Sequence, residues 1–251
     1  MPWVESISPS FRARHESADA DDADRVLMSL EHARDRLAEL FPRTPSDLTV
    51  VLHRDSTSLS LSNPTLPVRR LMTAPAARRY NAGWAAGEEL HLLAPAALEA
   101  RASNVPGSLE MLSLAAVSLY TRRVIAENNR DLPRPYSPAR LAAEVRWAWL
   151  LDGGAGWFSG QTEHARPAIA RRLREGGRPR FPPSLRDAPL LGGTVIDLLA
   201  REEGERAAVR FVTHLHPQGA RGALAAAFRG RALVHTEGAW RSHLARIASA
   251  V

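Results

Sequence analysis

The sequence predicts an α+β protein with a small mixed or antiparallel N-terminal sheet, one helix beside it and a mostly helical C-terminal half. Three observations support this prediction. Apolar residues between Asp19 and Phe41 recur with the spacing of an amphipathic helix. Leu48–His53 is a short β-branched and apolar run typical of a buried strand. After the Pro- and Gly-rich segment 175–183 only helical periodicity recurs, and this order of elements favours α+β.

The other N-terminal elements follow from local composition. Acidic residues at the start of segment 19–41 suit the positive end of a helix dipole, and Pro42 ends that helix. Segment 56–67 is rich in Ser, Thr, Asn and Pro and is predicted to be a loop. Tyr80 to Leu93 is predicted to be a hairpin of two short strands that turns at Ala86-Gly87.

The C-terminal part begins with the most apolar segment of the chain, Leu109 to Glu127, which lacks Pro and Gly. We predict a buried helix there, with Ser108 as its N-cap. A second long helix is predicted from Ser137 to an interruption at Gly153-Gly154, because Pro138 suits the first turn of a helix. Further helices are predicted at 194–200, 205–215, 220–228 and 236–251.

Composition places the chain among ordinary globular proteins: of its 251 residues, 45% are hydrophobic and 24% charged. We divide it into an N-terminal α+β subdomain with the hairpin, 1–105, and a helical subdomain, 106–251. The lack of cysteine excludes disulfide scaffolds, thiolate metal sites and cysteine nucleophiles. No apolar stretch approaches the roughly 18 residues of a membrane span, and the first residues lack the apolar core of a secretory signal. As written, the chain is expected to be cytoplasmic, and exported only if a leader was trimmed.

The charge of the chain is unevenly distributed. All 33 basic residues are Arg, and the formal net charge is +6. Residues 1–165 carry 18 Arg against 20 acids, a net −2, while 166–251 carry 15 Arg against 7 acids, a net +8. The basic half could attract an anionic partner, although solvated Arg faces explain the surplus more simply. The sequence has no glycine-rich phosphate loop, zinc-finger spacing or alternation of aromatic and basic residues, so nucleic acid is not an expected partner.

One segment matches a family pattern. The run Trp149-Leu-Leu-Asp-Gly-Gly-Ala-Gly-Trp157 fits W-L-x-E-G-x-A-x-Y, with Asp152 in place of the Glu and Trp157 in place of the Tyr. The chain thereby resembles the peptidase MA-like (gluzincin, thermolysin-like) zinc metallopeptidases, and the resemblance extends over nearly its whole length. The resemblance implies a zincin-like fold in which Asp152 stands at the position of the third zinc ligand.

Two other segments also resemble that family. Glu237-Gly-Ala-Trp-Arg-Ser-His-Leu244 is similar to the closing helix of such domains. Glu89-Leu-His-Leu-Leu93, just before the long buried helix, is similar to the edge strand that lines the substrate cleft. The resemblance therefore implies a cleft beside 89–93.

The residues that the resemblance places at the centre of the chemistry are missing. Family members carry H-E-x-x-H on the helix that corresponds to 109–127, where the two histidines share one helix face and bind zinc while the Glu activates water. Two alignments place at the His, Glu and His positions either Leu114, Ala115 and Ser118, which is preferred, or Leu109, Glu110 and Ser113. Neither alignment supplies a histidine, so no zinc cofactor is expected to bind.

The resemblance therefore implies a catalytically inactive pseudo-peptidase that acts as a binding or structural module. Its partner would be a peptide or protein in the vestigial cleft, where an extended peptide can add to the edge strand. The residues assigned to this cleft are Leu90, His91, Leu92, Trp149 and Trp157.

Two alternatives stay open. One is an active metal-dependent hydrolase with unusual ligands, for which Asp152, His91 and the pair His214 and His216 are candidates. On a helix the spacing of that pair points the rings apart, whereas a strand would place them on one face. The other alternative is an interaction protein that works through its basic half. His53 is expected on a strand, and the remaining histidines are expected at the surface: His15, His32, His164, His235 and His243.

Overall fold

A computed structural model describes residues 3–135 and 137–249 of the chain. It confirms the predicted α+β class, because a five-stranded mixed sheet lies in the N-terminal part and a mostly helical half follows. Across the described ranges, no helix combines the length and the apolar character needed to cross a membrane.

The sheet contains strands of both orientations. Its members are β1 (Trp3–Ile7), β2 (Phe11–Glu16), β3 (Leu48–His53), β4 (Gly83–Ala86) and β5 (Glu89–Leu93), in the order β1-β2-β3-β5-β4. The three central strands run parallel, and each outer strand is antiparallel to its neighbour. The prediction of β3 is confirmed at both ends, whereas β1 and β2 were not predicted.

Helices account for most of the other described residues. They are α1 (Ala20–Ala38), α2 (Ser56–Ser62), α3 (Thr65–Met72), α4 (Pro75–Arg78), α5 (Pro95–Arg101), α6 (Ser108–Ser113), α7 (Ala115–Asn128), α8 (Pro138–Arg146), α9 (Ala148–Phe158), α10 (Gln161–His164), α11 (Arg166–Arg174), α12 (Ala188–Glu203), α13 (Glu205–Val212), α14 (Gly219–Ala227) and α15 (Leu233–Ser249). The four helices predicted near the C-terminus correspond to α12–α15. The last two residues of the predicted 236–251 helix lie outside the described residues.

The two edge strands of the sheet are β1 and β4. The predicted hairpin is present, but β5 pairs with β3 on one side and with β4 on the other. The expectation that 89–93 forms the edge strand is therefore wrong. The physical reason is the parallel crossover from β3, which places β5 directly beside β3 and leaves its antiparallel hairpin partner outside.

One face of the sheet carries the core. Phe11 and Leu48 are paired in register, so they face the same side, and the Phe11 ring meets Tyr120 of α7 edge to face at a centroid distance of 5.1 Å. The other face carries His53 and His91 and is partly open, since Trp3 on this face is 54% exposed. α1 and α7 thus cover the core face, and α2 covers part of the other face beside Leu93.

Segment 56–67 forms α2 and the start of α3, so the predicted loop is wrong. The Asp55 carboxylate accepts hydrogen bonds from the backbone N–H groups of Thr57 at 2.9 Å and Ser58 at 2.8 Å. This is an N-cap, and it satisfies donors that the first turn of α2 leaves free. The polar composition indicated a loop because Ser and Thr favour both turns and helix starts.

The predicted helix 109–127 is divided into α6 and α7 at Leu114. Gly107, with a φ of 79°, precedes α6, and Ser108 is the first helical residue rather than the cap. Leu114 is the N-cap of α7, and its carbonyl accepts the first helical bond of α7, from Ser118 N–H at 2.9 Å.

Gly153 and Gly154 lie inside α9 and do not end it as predicted. A Cβ added to Gly153 would lie 2.4 Å from the carbonyl carbon of Gly192, so α9 and α12 cross in backbone contact. These glycines are needed for the close approach of two helices, which outweighs their low helix propensity. The interruption of the second long helix lies earlier, at Trp147 between α8 and α9.

Candidate functional site

Asp152 on α9 has each of its carboxylate oxygens bound to an arginine. Arg69 of α3 donates from Nη2 to Oδ2 at 2.6 Å, and Arg122 of α7 donates from Nη1 to Oδ1. The Asp152 side chain is only 8% exposed, so water competes little for these charge-assisted bonds. Residues far apart in the sequence thus converge on the carboxylate that the sequence analysis singled out.

A second carboxylate extends this arrangement. Glu144 of α8 accepts from Arg140 Nε at 2.8 Å, and its other oxygen lies 3.7 Å from Nη2 of Arg122. Burial raises the pKa of Glu144, but the charges of Arg122 and Arg140 outweigh that effect and hold this pKa below its usual value. Burial and the charge of Arg69 lower the pKa of Arg122 to about 10, so its guanidinium stays protonated at neutral pH.

We call Arg69, Arg122, Arg140, Glu144 and Asp152 the Asp152 network. It contains three positive and two negative side chains, which leaves one positive charge in excess. A catalytic zinc ion needs three protein ligands and an open position. The one carboxylate that the resemblance assigns as a ligand, Asp152, is already bound by two arginines, so the residues present do not fit a zinc ion.

The residues of the preferred alignment form no hydrogen bond or ion pair with Asp152 among the described residues. Leu114 lies between two helices, and Ala115 is buried in a small apolar cluster that includes Leu93. The side chain that meets Asp152 is Arg122, four positions after Ser118 and therefore on the same face of α7. The α7 side chain that binds Asp152 thus lies one turn beyond Ser118 on the same face of the helix.

The other alignment places its residues at the surface of α6. Leu109 is 46% exposed, and Glu110 is also exposed. The Ser113 hydroxyl donates to the Glu110 carbonyl within its own turn at 2.8 Å. These three residues do not join the Asp152 network among the bonds of the described residues.

The residues predicted to line a cleft do not come together. Leu90 and Leu92 are buried in the main core beneath the sheet. Trp149 is also buried, with its ring 5.8 Å from that of Phe211. Trp157 is half-buried, and its indole N–H donates to Asp197 at 3.3 Å. These side chains belong to the main core or pack against it, so they do not line a cleft.

His91 is buried on the face of the sheet opposite the main core, in a cluster of its own. Its Nδ1 is 3.0 Å from Nε2 of His53, and its Nε2 is 3.0 Å from an oxygen of Glu89. The Trp84 ring stacks on the His91 ring at 4.2 Å. Burial and the neighbouring His91 lower the pKa of His53 to about 4, so His53 is neutral at pH 7.

His214 and His216 lie beyond the end of α13 and do not form a site with Asp152. Nδ1 of His214 is 2.5 Å from a carboxylate oxygen of Asp131, and the His216 ring stands nearly perpendicular to that of His214 at 6.1 Å. In residues 3–135 and 137–249, no three His, Asp or Glu side chains are grouped so that they could hold a metal ion.

Two histidines expected at the surface are buried. His15 has its Nε2 3.1 Å from the hydroxyl of Ser6, and His243 has its Nε2 2.8 Å from a carboxylate oxygen of Asp197. The sequence predicted both histidines at the surface because their neighbours in the sequence are polar. In the structure, β2 directs His15 inward and α15 directs His243 inward.

The sequence analysis missed the two arginines that bind Asp152. Arg69 lies just beyond a segment predicted to be a loop, and Arg122 lies within the predicted buried helix 109–127. The four-residue spacing from Ser118 to Arg122 was the available signal, because it places Arg122 on the face where a second ligand would stand. Comparison of the chain with protein-family models, curated proteins and solved structures gave no match.

Proposed function

We propose that this chain is a metallopeptidase-like protein whose zinc site has been replaced by an internal ion-pair network, and that it is a catalytically inactive binding module. The observation that supports this proposal is the double arginine contact on Asp152. The guanidinium of Arg122 supplies positive charge next to the carboxylate, which is the electrostatic role that a metal ion has in an active enzyme.

The arrangement of elements is compatible with the proposal. The Asp152 network joins α7, which packs on the sheet beside β4, to α9, which carries the segment 149–157. Leu119 of α7 is so close to Gly83 of β4 that a Cβ there would lie 2.6 Å from its Cδ1. The edge strand β4 therefore packs directly against α7, the helix that bears Arg122.

The outer edge of β4 is the surface that we propose for the partner. Leu93 N–H donates to the Ala82 carbonyl at 3.1 Å, and hydrogen-bonded pairs alternate along an antiparallel ladder. Trp84 therefore bonds to β5, while the N–H and C=O groups of Gly83 and Ala85 point away from β5. These groups can pair with an added peptide strand.

Metal content tests the loss of the zinc site. We expect purified, untagged protein to contain far less than one zinc per chain after dialysis against metal-free buffer and again after zinc addition, while circular dichroism shows it folded. Inductively coupled plasma mass spectrometry makes this measurement. Near-stoichiometric zinc that survives dialysis would overturn the proposal in favour of an active hydrolase.

Proline substitution at the edge tests the binding role. We expect Ala85→Pro to abolish binding of peptides selected from a displayed library, because Pro removes an outward N–H without breaking a bond to β5. Ile7→Pro is the matched control, since Ser8 N–H donates to the Phe11 carbonyl and Ile7 therefore points its N–H outward at the opposite edge. Equal binding by wild-type protein and Ala85→Pro would exclude strand addition at β4.

A further inference from the structure

A second group of arginines lies apart from the Asp152 network, where α3, α4 and α5 end. Arg101 at the end of α5 donates from Nε to the Arg79 carbonyl at 2.5 Å, and Arg79 donates from Nη1 to the Arg101 carbonyl at 3.2 Å. Arg70 on α3 donates from Nε to the Asn81 carbonyl at 3.0 Å. We call Arg70, Arg79 and Arg101 the arginine triad.

The triad has no negative partner within the described parts of the chain. Its hydrogen-bond acceptors are backbone carbonyls and the hydroxyl of Ser60, which lies 3.4 Å from Nη1 of Arg70. None of the three guanidiniums forms an ion pair among residues 3–135 and 137–249. Three positive side chains thus donate to neutral acceptors only, most of them carbonyls of the segment 78–81.

The charges of Arg70 and Arg79 affect the pKa of Arg101. Burial, together with the charges of Arg70 and Arg79, lowers the pKa of Arg101 to about 10. Burial also lowers the pKa of Arg70. In addition, Nη2 of Arg70 is buried and has no hydrogen-bond partner in the described residues. A donor in this situation costs free energy until an acceptor reaches it.

Capping of helix ends explains only part of this arrangement. Cations do suit the carbonyls at helix C-termini, and Arg101 binds the carbonyls of Arg78 and Arg79 at the end of α4. A neutral Gln or Asn could donate to the same carbonyls without repulsion between like charges. The surplus of charge therefore requires another explanation, and an anion between the guanidiniums would offset the repulsion.

We propose that the arginine triad binds a phosphate group, either as inorganic phosphate or as a small phosphate monoester. A phosphate dianion neutralises most of the three charges, whereas a single carboxylate would leave two of them unpaired. Planar guanidiniums also match the spacing of phosphate oxygens. The arginine triad is separate from the Asp152 network. The phosphate proposal therefore does not depend on the proposal that the zinc site has been lost.

The test is thermal unfolding of the full chain in inorganic phosphate and in chloride at equal ionic strength. At saturation we expect phosphate to raise the Tm by about 5 °C over chloride. Arg70→Gln and Arg101→Gln should each remove this difference. Arg36→Gln should keep it, because Arg36 also donates to a backbone carbonyl, that of Phe158 at 2.8 Å, but stands outside the triad. Circular dichroism establishes that each variant is folded.

A parallel series with adenosine monophosphate distinguishes the two sources of phosphate. Stabilisation by both anions assigns the site to phosphate monoesters, and stabilisation by inorganic phosphate alone assigns it to the free anion. Equal Tm values in phosphate and chloride would overturn the proposal. A full phosphate effect in both Arg70→Gln and Arg101→Gln would overturn it as well.

Discussion

Arg172 and Asp187 form an ion pair that is almost completely buried, with side-chain exposures of 3% and 4%. Arg172 donates from Nε and Nη2 to the two oxygens of Asp187 at 2.6 and 3.1 Å, and from Nη1 to the Gly176 carbonyl at 3.1 Å. Desolvation cancels much of the attraction in such a pair, but removal of one partner leaves a buried charge without compensation. We expect Asp187→Asn to lower the free energy of unfolding by about 3–5 kcal/mol, measured by urea denaturation.

Two further variants make this result interpretable. Arg172→Met/Asp187→Leu removes both charges and should regain most of the lost stability. Glu5→Gln removes one partner of an exposed pair with Arg14 and should change stability by less than about 1 kcal/mol. A loss below about 1 kcal/mol for Asp187→Asn would contradict the argument.

His53 makes stability depend on pH. Its pKa is lowered from 6.5 to about 4 by burial and by His91, while the nearby Asp55 acts in the opposite direction. The unfolded chain therefore binds more protons than the folded chain between these values, and stability falls as the pH falls from about 6.5 to about 4. The full loss is about 3 kcal/mol, which is the free-energy equivalent of that difference in pKa.

A variant separates the contribution of His53 to the pH dependence of stability from the contribution of the carboxylates. His53→Gln should show a shallower fall in unfolding free energy between pH 7 and 4.5 than the wild type, measured by urea denaturation at each pH. His32→Gln, at an exposed position, should follow the wild-type curve. Parallel curves for His53→Gln and wild type would show that His53 is not the group responsible.

The crossing of α9 and α12 shows how two elements depend on two glycines. A Cβ on Gly153 would meet the backbone of Gly192, which cannot move aside as a flexible side chain can. The two helices must separate, and we expect Gly153→Ala to lower the free energy of unfolding by about 2 kcal/mol in urea, even though Ala favours a helix by about 1 kcal/mol.

Gly238 in α15 is the matched control for Gly153. A Cβ on Gly238 would have no atom within 4 Å, so Gly238→Ala should instead raise stability by about 1 kcal/mol through helix propensity alone. If the two substitutions change the free energy of unfolding in the same direction, close packing of α9 on α12 does not explain the glycines.

At the scale of elements, the sequence predicts those whose signal is local. Leu48–His53 is predicted at both ends because an uninterrupted β-branched run has no competing interpretation. The start of α2 was missed because capping by Asp55 and a polar loop share the same composition. The role of Gly153 was missed because the backbone that it contacts, at Gly192 on α12, is about forty residues away in the sequence.

The whole molecule is held together by contacts that no local pattern predicts. The α3–α4 segment links the N-terminal part to the helical half, because Arg69 binds Asp152 and Ala74 N–H donates to the Arg186 carbonyl at 2.9 Å. The sequence predicted the class α+β and singled out Asp152, but not its partners. Arg69 reaches Asp152 because the crossover from β3 to β5 carries α3 past the sheet. Such crossovers follow from strand pairing rather than from composition.

The architecture itself can be tested by an attempt to build a zinc site in it. Arg122 meets Asp152, and Ser118 lies one turn before it on the same face of α7. We expect Ser118→His/Arg122→His, with Arg69→Gln to release Asp152, to bind about one zinc per chain and to be stabilised by the metal. Mass spectrometry and thermal unfolding with zinc measure these effects.

The alternative geometry provides the control for that experiment. Leu114→His/Ser118→His with Arg69→Gln leaves Arg122 bound to Asp152, so the carboxylate is not free and zinc should bind weakly or not at all. Addition of Asp152→Ala to the first variant should also remove zinc binding. If the Leu114 variant binds zinc and the Arg122 variant does not, the face of α7 that approaches Asp152 has been assigned to the wrong turn, and Leu114 and Ser118 stand at the two histidine positions, as the preferred alignment has them.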